Sequence, residues 1–144
     1  MEISRMKVKK LFFDAQLPQK AHAGDLGYDL FSLGVTTIYP GQTELVGTGV
    51  CIQFPDGYGA LIRDRSSVAT KRNLFVVAGV IDNGYTGEIK VALHNAGDDV
   101  QRIGHGEKIA QLILMPTVDF AVEEVTNIES SDGRNDKGFG STGA

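Results

Sequence analysis

No apolar run in this chain is longer than Leu74 to Ile81, and turn residues close most of the shorter pieces. Tyr28 to Leu33 stops at Gly34, Val35 to Ile38 leads into Pro40-Gly41, and Val50 to Phe54 into Pro55-Asp56-Gly57. Tyr58 to Ile62, Val100 to Ile103, Ile109 to Met115 and Phe120 to Val125 follow the same plan. Strand-length pieces spaced by roughly ten residues build a β-sandwich or a closed β-barrel, and none is long enough to span a membrane. Only Ser67 to Asn73, SVATKRN, reads as a short helix. Neither an internal repeat nor a linker divides the 144 residues, a length that suits one domain with a real core. From Ser130 the apolar pattern gives way to SSDGRNDKGFGSTGA, polar and Gly-rich, which reads as a flexible arm. The expected organisation is a β-domain over 1–129 and a C-terminal arm over 130–144.

Charge and cysteine usage narrow the function classes. A formal net charge of -4 argues against a general grip on nucleic-acid polymers, which needs a basic surface, but allows a local cationic pocket for one nucleotide. The single Cys51 has no partner for an internal disulfide, and within Val50-Cys51-Ile52 it reads as a small buried hydrophobe. Basic residues near the N-terminus precede only Leu11-Phe12-Phe13, too little for a signal peptide, so a cytoplasmic protein is expected. His22, His94 and His105 lack the spacing of a zinc site.

The most informative stretch is Val76 to Leu93, VVAGVIDNGYTGEIKVAL. Its β-branched run Val76, Val77, Val80 and Ile81 favours a buried strand. Asn83-Gly84 suits a tight hairpin turn, and Glu88-Ile89-Lys90-Val91 alternates as a return strand would. Asp82 and Tyr85 then stand at the hairpin's mouth, where an acid can hold a water against a ligand lying on the ring. Taken alone, both residues also fit an ordinary turn.

Four further stretches carry chemistry. In Ala23 to Leu30, AGDLGYDL, Asp29 offers hard oxygens to Mg²⁺, directly or through water, or simply caps a turn. In Arg63-Asp64-Arg65-Ser66-Ser67 the guanidinium fork and the hydroxyls match phosphate oxygens; a surface ion-pair cluster is the plainer reading. Gln111 interrupts the apolar strand of GEKIAQLILM and must find a partner, either backbone or a ligand phosphate. In the tail, Phe139 sits between Gly138 and Gly140, close after Arg134, and its ring makes sense stacked on a flat ligand. The order of a P-loop is absent.

These five stretches, in this order on a short all-β chain, resemble the motifs of the trimeric deoxyuridine triphosphate nucleotidohydrolases (dUTPases). AGDLGYDL resembles the first, RSS the second, AGVIDNGYTGE the third, GEKIAQLIL the fourth and RNDKGFGSTG the fifth, together spanning Ala23 to Gly143. The resemblance implies a jelly-roll-like β-barrel and hydrolysis of dUTP to dUMP and pyrophosphate with Mg²⁺, which limits uracil in DNA and supplies dUMP for thymidylate synthesis. It also implies a homotrimer whose sites each draw the first, second and fourth motifs from one chain, the hairpin from another and the tail from the third.

Carried over residue by residue, Asp82 would activate the water that attacks the α-phosphorus, with Arg65 and Ser66 completing the catalytic set. Tyr85 would lie beneath the deoxyribose and leave no room for a 2′-hydroxyl. Arg65, Ser66, Ser67 and Gln111 would hold phosphates, and Asp29 the metal through water. Arg134 would meet the γ-phosphate, Phe139 would stack on uracil, and Gly140, Ser141 and Thr142 would complete the tail's contacts. Gly79, Val80, Ile81 and Lys90 would contribute the hairpin's share of substrate binding. Uracil's acceptor–donor–acceptor edge would meet backbone groups of a hairpin splayed open at Ala78-Gly79-Val80, and cytosine would leave buried groups mispaired.

Some positions depart from the family's usual pattern. Asp64 stands where proline is common, Ser67 where glycine is common, and Asn135-Asp136-Lys137 replace a more Gly-rich run. Val76, where a polar residue sometimes helps read the base, leaves recognition to the backbone. The nearest rival, a dCTP deaminase, would need a catalytic Glu on the return strand, which here reads Lys90-Val91-Ala92-Leu93. A nucleotide-gated interaction module would be expected to carry an inserted partner-binding domain. A plain β-sandwich binding protein would have to hold five ordered motifs by chance.

Overall fold

The computed structural model describes residues 4–134 and 136–138. Ten strands and one helix follow in order: β1 (Lys7–Lys10), β2 (Tyr28–Phe31), β3 (Thr36–Ile38), β4 (Thr43–Gln53), β5 (Tyr58–Arg63), α1 (Ser66–Arg72), β6 (Leu74–Val77), β7 (Val80–Ile81), β8 (Glu88–Asn95), β9 (Gln101–Ile103) and β10 (Lys108–Pro116). They form antiparallel sheets ordered β1-β4-β8-β6, β2-β10-β5-β7 and β3-β9. The all-β fold with one short helix is the one the punctuation of the sequence predicts.

Alternation explains the strands. In β8, Ile89, Val91 and Leu93 point inward and are fully buried, while the residues between them are more exposed. They meet Val46 and Val50 of β4, Leu30 of β2, Ile62 of β5, Leu112 of β10, and Ile38 and Ile103 of the small sheet in one core. Each such side chain contributes roughly 1.5–3 kcal/mol by leaving water. Asn95, buried with Ser32 and Thr48 among the described polar residues, is satisfied: its Nδ2 donates to the Ile38 and Asp99 carbonyls, and its Oδ1 accepts from the Gly97 N–H.

The stretch from Val76 to Leu93 differs from the expected hairpin. Its first half is two strands, because Ala78 (φ 61°) and Gly79 (φ 107°) turn the chain between them. β6 pairs with β8 in one sheet, while β7 pairs with β5 in the other. The splay at Ala78-Gly79-Val80 is therefore a change of sheet, and β7 and β8 share no ladder. Gly79 is held at the crossing: its carbonyl accepts the Ile62 N–H at 2.7 Å, and a β-carbon there would stand 2.8 Å from the Ile62 carbonyl oxygen. Nor is the apolar run buried throughout: Val80 is 73% exposed and Val77 is exposed, while Leu74 and Ile81 lie in the core and Val76 packs against it. The Asn83-Gly84 turn uses no positive φ; the Tyr85 N–H returns to the Asp82 carbonyl, and Asn83 donates to the Pro55 and Tyr58 carbonyls.

Other expectations are corrected in the same way. β4 begins seven residues before the expected Val50, carried across Gly47 and Gly49 by an irregular register against β8. The basic N-terminal stretch, for which the sequence predicts no strand, forms β1 and pairs with β4. Phe120 to Val125 forms no strand; residues 117–134 are exposed throughout. Cys51 is half-buried rather than buried. Among the described residues, no helix is long and apolar enough to cross a membrane.

Candidate active site

The candidate residues gather in two clefts. The first, of about 210 Å³, is lined by Ile62, Gly79, Val80, Ile81, Asp82, Tyr85, Glu88, Ile89 and Lys90. Pairing with β5 ends at Ile81, so Asp82 leaves the sheet edge with its carboxylate in solvent. Tyr85 is fixed by its hydroxyl, which donates to the Glu88 carbonyl at 2.7 Å. Gly87 makes that position available, because a β-carbon there would approach the Tyr85 hydroxyl oxygen to 2.8 Å. The cleft thus has a backbone floor at the change of sheet, an aromatic wall and a carboxylate at one end. Glu88 turns its carboxylate the other way, accepting the Gly49 N–H at the irregular part of β4.

The second cleft, of about 350 Å³, is lined by Asp29, Arg65, Ser66, Ser67 and Gln111 together with the loop Ala21, His22, Asp25, Leu26 and Gly27. β2 and β5 flank β10 on either side, which sets Asp29 and Arg63 opposite Gln111 and brings the start of α1 to the same end. Asp29, with only 14% of its side chain exposed, lies between two cations: Arg65 Nε stands 3.3 Å from Oδ1 and Lys108 Nζ 3.4 Å from Oδ2. Gln111 Nε2 donates to the Asp64 carbonyl at 2.8 Å, so the polar interruption in β10 has a backbone partner. The loop is closed on itself: Asp25 Oδ2 accepts the His22 N–H and lies 3.4 Å from His22 Nδ1.

The two clefts share no lining residue. Within one chain, then, Asp82 and Tyr85 are grouped apart from Arg65, Ser66 and Gln111. Arg134 lines neither cleft and pairs with Asp132, 3.4 Å away, on exposed chain. Phe139, Gly140, Ser141 and Thr142 lie outside the described residues. Lys108 and the His22–Asp25 pair escaped the sequence reading. The i,i+3 spacing of His22 and Asp25 was visible, but nothing in the sequence placed that loop beside Arg65.

A strained crossing with an acid at its mouth, and a separate pocket of arginine, hydroxyl and amide groups, define a class of small all-β proteins equipped to hold a compact anionic ligand. The dUTPase family profile matches residues 14–143, and the chain belongs to the dUTPase family. It is 44% identical over 140 residues to the deoxyuridine 5′-triphosphate nucleotidohydrolase of Clostridioides difficile, covering 96% of this chain and 97% of that one. The Clostridium acetobutylicum enzyme of the same name is 42% identical, with 96% of each chain covered. Among solved structures, the Staphylococcus bacteriophage 80alpha dUTPase with dUpNHpp superposes with a TM-score of 0.90 at 30% identity, over 97% of this chain and 99% of that one. The D95N dUTPase of Staphylococcus aureus phage phi11, described with a structural Mg(II) ion, gives 0.81 at 26% identity over 88% and 99%.

Proposed function

We propose that this protein is a dUTP diphosphatase that hydrolyses dUTP to dUMP and pyrophosphate, lowering the dUTP available to DNA synthesis and supplying dUMP for thymidylate synthesis. The observation that carries the reading is the first cleft, in which a strand changes sheet beside an aromatic ring and ends in a solvent-facing carboxylate. β7 is the edge strand of its sheet, so a base lying at Gly79, Val80 and Ile81 on the side away from β5 meets backbone donors and acceptors outside that ladder, the complement that a uracil edge requires. Tyr85, anchored by its hydroxyl, lies along the sugar and excludes a 2′-hydroxyl, with Lys90 on the same wall. Asp82 then accepts a proton from the water that attacks the α-phosphorus, a role typically worth ~10²–10⁴-fold.

The second cleft supplies the phosphate contacts. Arg65, Ser66 and Ser67 offer charge-assisted and hydroxyl donors, and phosphoryl transfer asks a protein mainly for such positioning and charge neutralisation. Asp29 orients Arg65 through the 3.3 Å pair. The donor set would suit Mg²⁺ held largely by the triphosphate, with Asp29 as the carboxylate that would reach it through water. Two cations already flank that carboxylate, and among the described residues no group of three His, Cys, Asp or Glu side chains forms a cage. When bound, the ion would neutralise phosphate charge.

Separation of the two clefts within one chain supports a homotrimer in which the hairpin of one subunit faces the phosphate cleft of another. In that assembly the arm over 130–144, with Arg134 and Phe139 to Thr142, closes the site of a neighbour. Pyrophosphate release should be measured with Mg²⁺ across dUTP, dTTP, dCTP and UTP. Turnover of dUTP alone at appreciable kcat/KM is expected; equal turnover of UTP would remove Tyr85 from its role, and ammonia release from dCTP would replace the reading.

A further inference from the structure

Asp64 lines neither cleft, yet it ties three elements together. It lies between the end of β5 and Arg65, and its carboxylate Oδ1 accepts the Val76 N–H at 2.6 Å. Its own carbonyl accepts Gln111 Nε2 from β10. Val76 belongs to β6, the edge strand of its sheet, so the side away from β8 has no ladder partner and Asp64 supplies one. Meanwhile the start of α1 is not fixed by its own cap: Arg65 occupies the N-cap position without a capping side-chain bond. The constraint on this turn comes one residue earlier.

We propose that Asp64 is a positioning residue for the phosphate cleft: its carboxylate pins the turn into α1 against β6, and thereby sets the direction in which Arg65, Ser66 and Ser67 present their donors. The inference rests on the phosphate role of those three residues. Proline, common at this place in the family's second motif, fixes φ covalently; here a short hydrogen bond to a charged acceptor performs the same restriction. The link also runs directly from the phosphate turn to the strand that enters the change of sheet at Ala78-Gly79.

The test uses the full chain with Asp64→Ala, Asp64→Asn and Arg65→Ala, checked for folding by circular dichroism. Binding of dUpNHpp and of dUMP, which lacks the β- and γ-phosphates, is measured by calorimetry. Asp64→Ala is expected to weaken dUpNHpp about tenfold, the loss that follows when a part-buried N–H is left without its charged acceptor, while dUMP binding changes less than about twofold. Asp64→Asn, which keeps an acceptor oxygen in place, is expected to restore dUpNHpp binding to within about twofold. Equal losses for both nucleotides without rescue by Asn would reduce Asp64 to a structural residue and overturn the proposal. If Arg65→Ala weakens dUpNHpp and Asp64→Ala does not, this inference alone falls; if neither does, the phosphate reading falls with it.

Discussion

Asp82 and Asp29 are both carboxylates near a cleft, but their surroundings give them different work. Asp29 is largely buried and bracketed by Arg65 and Lys108, so its charge is spent on holding cations. Asp82 is exposed at a strand end and makes no ion pair to a described residue, which leaves its oxygens available for water. Asp82→Asn is therefore expected to lower kcat by ~10²-fold or more while dUTP still binds, because the amide keeps the shape and loses the base. Rapid-quench measurement of a single turnover alongside equilibrium binding checks this; weakened binding with normal chemistry per bound nucleotide would refute the base role. Individual letters were legible at this scale because chemistry follows from residue type. Their partners were not: the sequence left Gln111 with a choice of backbone or phosphate, and only the fold supplies the Asp64 carbonyl.

At the scale of elements, the change of sheet between β6 and β7 is what makes the first cleft, and the sequence concealed it. Val76, Val77, Val80 and Ile81 have the composition of one strand, while positive φ at Ala78, a residue that rarely adopts it, divides them. The force that overrides local preference is tertiary: β5 takes Val80 and Ile81, and β8 takes Leu74 to Val77. The short helix and β10 were legible because their patterns agree with their surroundings, whereas β4 was half hidden by its glycines. Asn95 joins the end of β8 to β3 and to the loop before β9, with three hydrogen bonds to backbone groups. Asn95→Ala leaves the Ile38 carbonyl without its donor in the core and removes two part-buried bonds, and is expected to cost about 2–3 kcal/mol of stability. A denaturant midpoint unchanged from the parent would show that the network is not needed.

For the whole molecule, the chain presents apolar surface that an isolated subunit would leave in water. Leu45, Ala92 and Val77 lie in register across three strands, with Leu45 and Val77 exposed, and Phe120 and Val122 are 85% and 100% exposed beyond β10. Exposed apolar surface on this scale favours association. Five ordered motifs made the family legible, but neither cleft of one chain combines them, and order along a sequence does not state which motifs meet in space. Deleting Arg134 to Ala144 is expected to cripple turnover while sedimentation still reports a trimer; full activity would deny the arm its part in closure.

Mixing the two broken halves offers the sharpest check on sites shared between chains. Asp82→Asn and Arg65→Ala subunits, each nearly inactive alone, should be unfolded together and refolded as mixed oligomers. If one chain's carboxylate serves another chain's phosphate cleft, roughly a quarter of the sites regain both intact parts, and dUTP hydrolysis rises to about that share of the parent rate. A mixture no more active than its separate components would contradict the account.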